Sequence, residues 1–280
     1  MDDITIMGTL AALVTVDEAR EDLQKPSNYL VNLTKQYVYT MNESHVPVIQ
    51  KALPGHKVIY IGGTNGFTLS GIPLGSDQFI TTALQNNLNK TKNIIANISR
   101  LTNLQEKLIL LLQCIPGRIQ HLLAAVPMHL SRDFARQHDE AITAAVANAL
   151  ELGTLTGRDK LLMQRKISNH GLGLRSMESN LEFLFLAGFM KTVRSIRHAF
   201  PNFQATLECT LDADSGYGLE LMDALEHLQQ LSSQKLSALL PNTLRDVMKD
   251  DYVWVHCGHT TKSNANLITS WRRLTMLSMT

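Results

Sequence analysis

Cysteine and long apolar runs are both scarce in this chain of 280 residues. The cysteines are odd in number and far apart, so they provide neither a disulfide framework nor a four-ligand zinc site and favour a reducing compartment. They are Cys114, Cys209 and Cys257. Apolar runs such as 108–112 are far too short to span a bilayer, and two acids stand where a signal peptide carries basic residues. These features predict an intracellular protein, in the nucleus or cytoplasm, that is neither secreted nor inserted into a membrane.

Charged side chains are few, at 18% of the chain, and their signs almost cancel, with 26 basic and 25 acidic residues. Hydrophobic residues contribute 44%, and this composition excludes a wholly disordered chain and a collagen-like one. The balance hides a local excess, because residues 76–200 carry 15 basic and 9 acidic side chains, a net charge of +6. Such an excess favours contact with phosphates, and ordinary solvated helix faces are the alternative.

The first 75 residues have the pattern of a small α+β segment. Three β-favouring runs occur there, at Ile4–Met7, Tyr29–Tyr39 and Lys57–Ile61. Between the first two runs, the sequence predicts a helix over Ala11–Lys25 that ends at Pro26. A stretch punctuated by glycines follows the third run and predicts turns.

From Ser76 onward, apolar residues recur at spacings of three and four, which is typical of helices that bury one face. Four stripes of this kind run from Ile94 to Ile115, from Phe134 to Leu150, from Leu181 to Met190, and from about Leu219 to Leu240. The first stripe ends at Pro116-Gly117 and predicts one continuous helix up to that point. The predicted fold class is therefore α+β, with few strands followed by a predominantly helical region.

Asp2 and Asp3 stand immediately before the first apolar run. Adjacent carboxylates repel each other unless a cation or water neutralises them, so their turn is a candidate Mg²⁺ site. A solvated pair with no role is the alternative. Late in the chain, the residues from His256 to His259 crowd three soft ligands together, but no second ligand pair is near and a polar loop is expected. The chain has no phosphate-cradling glycine loop and no nucleophile with its base, so neither a kinase nor an acyl-transfer enzyme is indicated.

Four motifs follow one another in the order found in reverse transcriptases of non-LTR retrotransposons. They are Met1-Asp2-Asp3-Ile4, Leu30-Val31-Asn32-Leu33-Thr34-Lys35, Ser70-Gly71-Ile72-Pro73-Leu74-Gly75-Ser76 and His170-Gly171-Leu172-Gly173-Leu174-Arg175-Ser176. Over about 175 residues the chain thus resembles the later part of such an enzyme, from the catalytic Asp-Asp turn onward. Two positions depart from the family pattern, since Tyr29 stands near a usual glycine and His170 replaces the first glycine of the last motif.

The resemblance implies a palm remnant over 1–75, a helical thumb over 76–153 and a helical extension over 154–280. In the family, two divalent ions stabilise the attacking and leaving oxygens of the transferred phosphoryl group. Asp2 would hold Mg²⁺, with Asp3 as its supporting neighbour. Lys35 would lie near the triphosphate, where it could neutralise or protonate the leaving pyrophosphate, or else it is an exposed strand lysine that guards an edge.

The resemblance also implies contacts with a duplex of RNA template and DNA primer. Gly71, Pro73 and Gly75 would shape the turn that grips the primer end, with a plain loop as the alternative. The thumb would hold the duplex through its phosphates, independently of base sequence. Its candidate cations are Lys90, Lys92, Arg100, Lys107, Arg118, Arg132 and Arg136, and the patch continues through Arg158, Lys160, Arg165, Lys166 and Arg175.

We therefore expect part of a retroelement RNA-directed DNA polymerase. We expect it to be catalytically incomplete, because the family's fingers and a further palm aspartate would lie before Met1. Asp17 and Asp22 are not expected to replace that aspartate, since the predicted helix carries them away from the Asp-Asp turn. The alternatives are a non-catalytic helical protein that binds nucleic acid through residues 76–200, and the product of a decayed element with no selected activity.

Overall fold

The computed structural model describes residues 9–27, 37–61, 63–199, 216–231 and 243–244. The chain divides into two compact units, one of residues 1–69 and 73–80 and the other of residues 70–72 and 81–280. Helices account for most of the described residues. The described part also contains four short strands, which form two sheets of two strands each. An α+β fold with few strands and a largely helical later part is confirmed. The predicted strand Ile4–Met7 and the loop from His256 to His259 lie outside the described residues.

The first unit contains two parallel strands joined by a short helix. Its elements are α1 (Leu10–Ser27), β1 (Tyr37–Thr40), α2 (Val46–Ala52), β2 (Lys57–Tyr60), β3 (Gly66–Leu69) and most of β4 (Ile72–Gly75). In the parallel pair, Tyr37 lies opposite Lys57 and Thr40 lies opposite Tyr60. The helix α2 follows a 3₁₀ turn at Glu43–His45 and makes the crossover between the two strands. The strand predicted at Lys57–Ile61 is confirmed, while residues 29–36 of the strand predicted at Tyr29–Tyr39 lie outside the described part.

The helix α1 is longer than the sequence predicts. It continues through Pro26 to Ser27, so the predicted last residue, Lys25, is two residues too early. A proline removes one main-chain hydrogen-bond donor and crowds the preceding turn. This destabilises a helix locally, and the last turn of a helix tolerates it.

A tight hairpin joins β3 to β4. Ser70 and Gly71 form its two-residue turn, with φ angles of 49° and 84°. Positive φ at both central positions is the geometry that matches the twist of antiparallel strands. The turn is therefore shorter than the predicted stretch, because Pro73 and Gly75 lie on β4. A Cβ on Gly75 would lie 2.5 Å from the Cα of Gly66, so the glycines allow this end of the hairpin to close.

The second unit is built from helices. The helix α3 (Asp77–Ser99) begins in the first unit and continues into the second, which also contains α4 (Leu104–Ile109), a π-helix (Leu110–Cys114), α5 (Ile115–Gly117), α6 (Gln120–Leu123), α7 (Met128–Ala149), α8 (Gly157–Gln164), a 3₁₀ turn (Ile167–Asn169), α9 (Leu181–Ala199) and α10 (Gly216–Leu231). The fourth predicted helix extends to about Leu240, and residues 232–240 of that prediction lie outside the described part.

The first apolar stripe does not form one helix as predicted. The chain leaves α3 at Ser99 and begins α4 at Leu104. The side-chain oxygen of Asn103 caps α4 by accepting hydrogen bonds from the backbone N–H groups of Gln105 (2.9 Å) and Glu106 (3.4 Å). Leu101, between the two helices, also packs against the core. The regular apolar spacing therefore continues across the break, and the sequence pattern does not reveal where α3 ends.

One apolar cluster holds the first two stripes of the second unit together. Ile98 and Ile115 from the first stripe and Ile142 and Val146 from α7 are all buried in it. The same cluster takes Met163 from α8 and five further buried apolar side chains, which are Ile95, Leu111, Ala145, Ala147 and Leu174. The prediction that the first two stripes each bury an apolar face is confirmed.

Candidate nucleic-acid interface

The hairpin turn lies beside α6. A Cβ on Gly71 would stand 3.5 Å from Nε2 of His121. The side chain of His121 is exposed, and Arg118, three residues before it, is exposed as well. The turn that the resemblance assigns to the primer end thus lies next to the imidazole of His121. The guanidinium group of Arg118 is three residues away in the chain. His121 was not among the predicted contacts, although it stands only three residues after Arg118, which was.

The cations of α3 lie on its exposed side. Leu88, Thr91 and Ile95 turn inward and are buried. Lys90 and Lys92 flank Thr91 and are exposed, so they occupy the two edges of the outward face at 100° per residue. Arg100, which follows the helix, and Lys107 on α4 extend the set, with Arg100 exposed and Lys107 half-buried.

Ion pairing separates the predicted thumb cations into two groups. Arg132 contacts Glu182 at 2.9 Å, and Arg136 contacts both Glu140, at 2.7 Å, and Asp133. The hydrogen bond from Arg136 holds the pKa of the Asp133 carboxyl below its ordinary value. In contrast, five cations make no ion pair with any other described residue: Lys90, Lys92, Arg100, Lys107 and Arg118. An unpaired surface cation keeps its full charge for an incoming phosphate.

The later cations, from Arg158 to Arg175, lie in or near the segment 165–173, whose backbone is closely hydrogen-bonded. Arg158 and Lys160 are exposed on α8, Arg165 is exposed after it, and Lys166 and Arg175 are half-buried. The carbonyl of Arg165 accepts a 2.7 Å hydrogen bond from the backbone N–H of Gly173. A Cβ on Gly171 would overlap that same carbonyl oxygen, so this position requires glycine. This part of the cation patch therefore lies where the backbone is closely packed.

Asp139 on α7 forms hydrogen bonds with residues 176–178, which follow the late motif. Its carboxylate accepts hydrogen bonds from the hydroxyl of Ser176 at 2.7 Å and from the backbone N–H groups of Met177 and Glu178 at 2.9 and 3.0 Å. Because all these donors belong to the chain itself, the geometry gives Asp139 a structural role. No local sequence pattern singles out this residue, since its partners lie 37–39 positions away.

No family model, curated protein sequence or solved structure matches this chain. The interface accordingly rests on the geometry above and on the motifs in the sequence.

The proposed catalytic residues Asp2, Asp3 and Lys35 lie outside the described residues. Within the described residues, no group of three or more His, Cys, Asp or Glu side chains is placed to hold a metal ion. Asp17 is described, and its carboxylate lies 3.4 Å from Nε2 of His56.

No helix in the described part of the chain is long and apolar enough to cross a membrane.

Proposed function

We propose that the second unit binds a nucleic-acid duplex through its phosphates, in the way that the thumb of a retroelement reverse transcriptase would. The observation that carries the proposal is the unpaired state of the five cations from Lys90 to Arg118 among the described residues. Four of the five are exposed. Phosphate contacts of this kind are independent of base sequence and weaken steeply with salt.

The backbone of the late motif supports the reverse-transcriptase assignment. His170, which stands where the family has its first glycine, adopts the left-handed conformation with φ 60° and ψ 28°. Gly173 also has a positive φ, of 70°, and Gly171 has no room for a Cβ. A residue other than glycine is uncommon in that region, so the conformation accounts for a glycine being usual at the position of His170.

The first test measures duplex binding by fluorescence anisotropy, with an RNA template annealed to a DNA primer over a series of salt concentrations. The slope of log K against log salt should become shallower by about one for each cation that no longer neutralises a phosphate. We expect Lys90→Ala combined with Lys92→Ala to weaken binding and reduce this slope. The matched control is Arg136→Ala, whose guanidinium is already neutralised by two carboxylates.

Two results would contradict the proposal. One is the absence of duplex binding by the wild-type chain at low salt. The other is an equal loss of binding for Arg136→Ala and for the double lysine variant, because a difference between paired and unpaired cations is what the interface requires.

The second test separates the polymerase from the alternative, a non-catalytic protein that binds nucleic acid. It measures incorporation of labelled nucleotide on primed RNA with Mg²⁺ or Mn²⁺. The expectation from the sequence is that this chain of 280 residues does not extend the primer. Template-dependent extension that Asp2→Ala abolishes would contradict the inactivity and assign the polymerase reaction to the chain.

A further inference from the structure

Three aromatic rings form a stacked row in the first unit. The rings of Tyr37 and Tyr39 have centroids 6.2 Å apart with an interplanar angle of 19°. The ring of Phe67 on β3 continues the row, with its centroid 3.9 Å from that of Tyr39 and an interplanar angle of 22°. Tyr37 and Tyr39 are two residues apart on β1, so both side chains point to the same face of the strand.

This row is open to solvent at the Tyr37 end. Tyr37 is 44% exposed and Tyr39 is 36% exposed, whereas Thr40, on the opposite face, is buried. Aromatic side chains contribute most of their stabilisation when they are buried, so leaving two tyrosines at the surface gains little for folding. Burial, and secondarily the neighbouring Tyr37, raises the pKa of Tyr39 above its ordinary value.

A single lysine accompanies the rings. Lys57 lies opposite Tyr37 in the parallel register, and its Nζ lies over the Tyr37 ring, 5.7 Å from the ring centroid. The paired positions on this face of the two strands are Tyr37 with Lys57 and Tyr39 with Ile59. Lys57 carries the only charge among these four side chains, so an anionic aromatic ligand suits the face better than a cationic one.

We propose that this face binds single-stranded nucleic acid, with an unpaired base stacked at the Tyr37 end of the row and the Lys57 ammonium moving from over the ring to the phosphate of that nucleotide. Every nucleobase presents a flat π-face, and aromatic platforms with an adjacent cation are a common means of holding single strands without base specificity. The site belongs to the first unit and uses none of the cations assigned to the duplex. A negative result for duplex binding would therefore not overturn this site, and a negative result for this site would not overturn duplex binding.

The test compares two oligonucleotides of equal length, one of deoxythymidine and one with abasic sites, which carry the same phosphates. The readout is the ratio of their dissociation constants, measured by fluorescence anisotropy with the full chain. Tyr37→Ala should weaken thymidine binding roughly tenfold, as expected for the loss of one base–aromatic stack, and should bring the ratio towards one. Tyr37→Phe keeps the ring and should stay within about twofold of the wild type.

Two controls make the test specific. Met41→Ala changes an 81% exposed apolar side chain just after β1 and should leave the ratio unchanged. Lys90→Ala with Lys92→Ala should weaken duplex binding while leaving the ratio unchanged, so failure of the duplex proposal and failure of this one are distinguishable. Equal binding of the two oligonucleotides by the wild-type chain would overturn the stacking site, and so would a ratio unaffected by Tyr37→Ala in a variant whose circular dichroism matches the wild type.

Discussion

The carboxylate of Glu220 on α10 accepts a hydrogen bond from the backbone N–H of Met128, 2.5 Å away, at the first residue of α7. The residue before α7 is Pro127, whose side chain makes no capping hydrogen bond. The first N–H groups of a helix have no partner inside the helix, and a carboxylate there also interacts favourably with the helix dipole. Glu220 contacts the ring of His129 as well. One side chain therefore bonds to the first two residues of α7, although it lies 92 positions after Met128 in the chain.

We expect Glu220→Ala to lower the free energy of unfolding by about 1–2 kcal/mol, as the loss of a helix cap does. Urea denaturation followed by circular dichroism measures this change. Glu226→Ala removes an exposed carboxylate from the same helix, and its effect should stay within about 0.5 kcal/mol. Equal effects of the two substitutions would show that the cap contributes no stability.

His138 is fully buried on α7, and neither of its ring nitrogens has a hydrogen-bond partner among the described residues, since the Asp139 carboxylate oxygen lies 3.8 Å from Nδ1. A buried polar group without a partner loses its hydration with no compensation. We therefore expect His138→Leu to raise the free energy of unfolding by about 1–3 kcal/mol in urea denaturation. Ser131→Ala, at a fully buried hydroxyl that also lacks a partner within the described part of the chain, should raise it by a smaller amount. A clear loss of stability in His138→Leu would instead identify a hydrogen bond to the imidazole, such as one to a buried water.

Tyr217 on α10 packs against Phe185 with ring centroids 5.1 Å apart. Burial, and secondarily the charge of Glu220, raises the pKa of Tyr217 above its ordinary value near 10. The folded state therefore holds the phenolic proton more tightly than the unfolded state does. The resulting stability is fully present below the unfolded pKa and is lost as pH rises through the folded value.

The expected outcome is a fall in wild-type stability above about pH 10 that is smaller in Tyr217→Phe. Urea denaturation at pH 8 and at pH 11 measures the difference. An identical alkaline loss in both proteins would contradict the assignment to Tyr217.

Gly188 on α9 lies against the chain that follows α6. A Cβ on Gly188 would overlap the carbonyl oxygen of Ala124. Replacing a mid-helix glycine by alanine normally gains about 1 kcal/mol, but here the methyl group would force the backbone apart, and overpacking costs about 1–3 kcal/mol. We expect Gly188→Ala to lower the midpoint of thermal unfolding. Gly157→Ala is the matched control, because nothing lies within 4 Å of a Cβ at that helical position, and its midpoint should be unchanged or higher.

The sequence could indicate the cations of the candidate site, but it could not indicate which of them are paired. The ion pairs of Arg136 lie three and four positions away on its own helix, where a local pattern can reveal them. The partner of Arg132 is Glu182, 50 positions away, so its neutralisation could not be seen in the sequence. The approach of His121 to Gly71 and of Phe67 to Tyr39 likewise joins residues from different elements.

The sequence by itself determined the helical character of two apolar stripes and the face that each buries, because the spacing of apolar side chains is a local property of the chain. It determined α7, α9 and the strand at Lys57–Tyr60 in this way. Only the tertiary structure decided which cations remain unpaired among the described residues, which carboxylate caps α7 and which aromatic rings stack at the surface. Each of these depends on contacts between distant residues, and a local pattern carries no information about which distant side chains packing brings together.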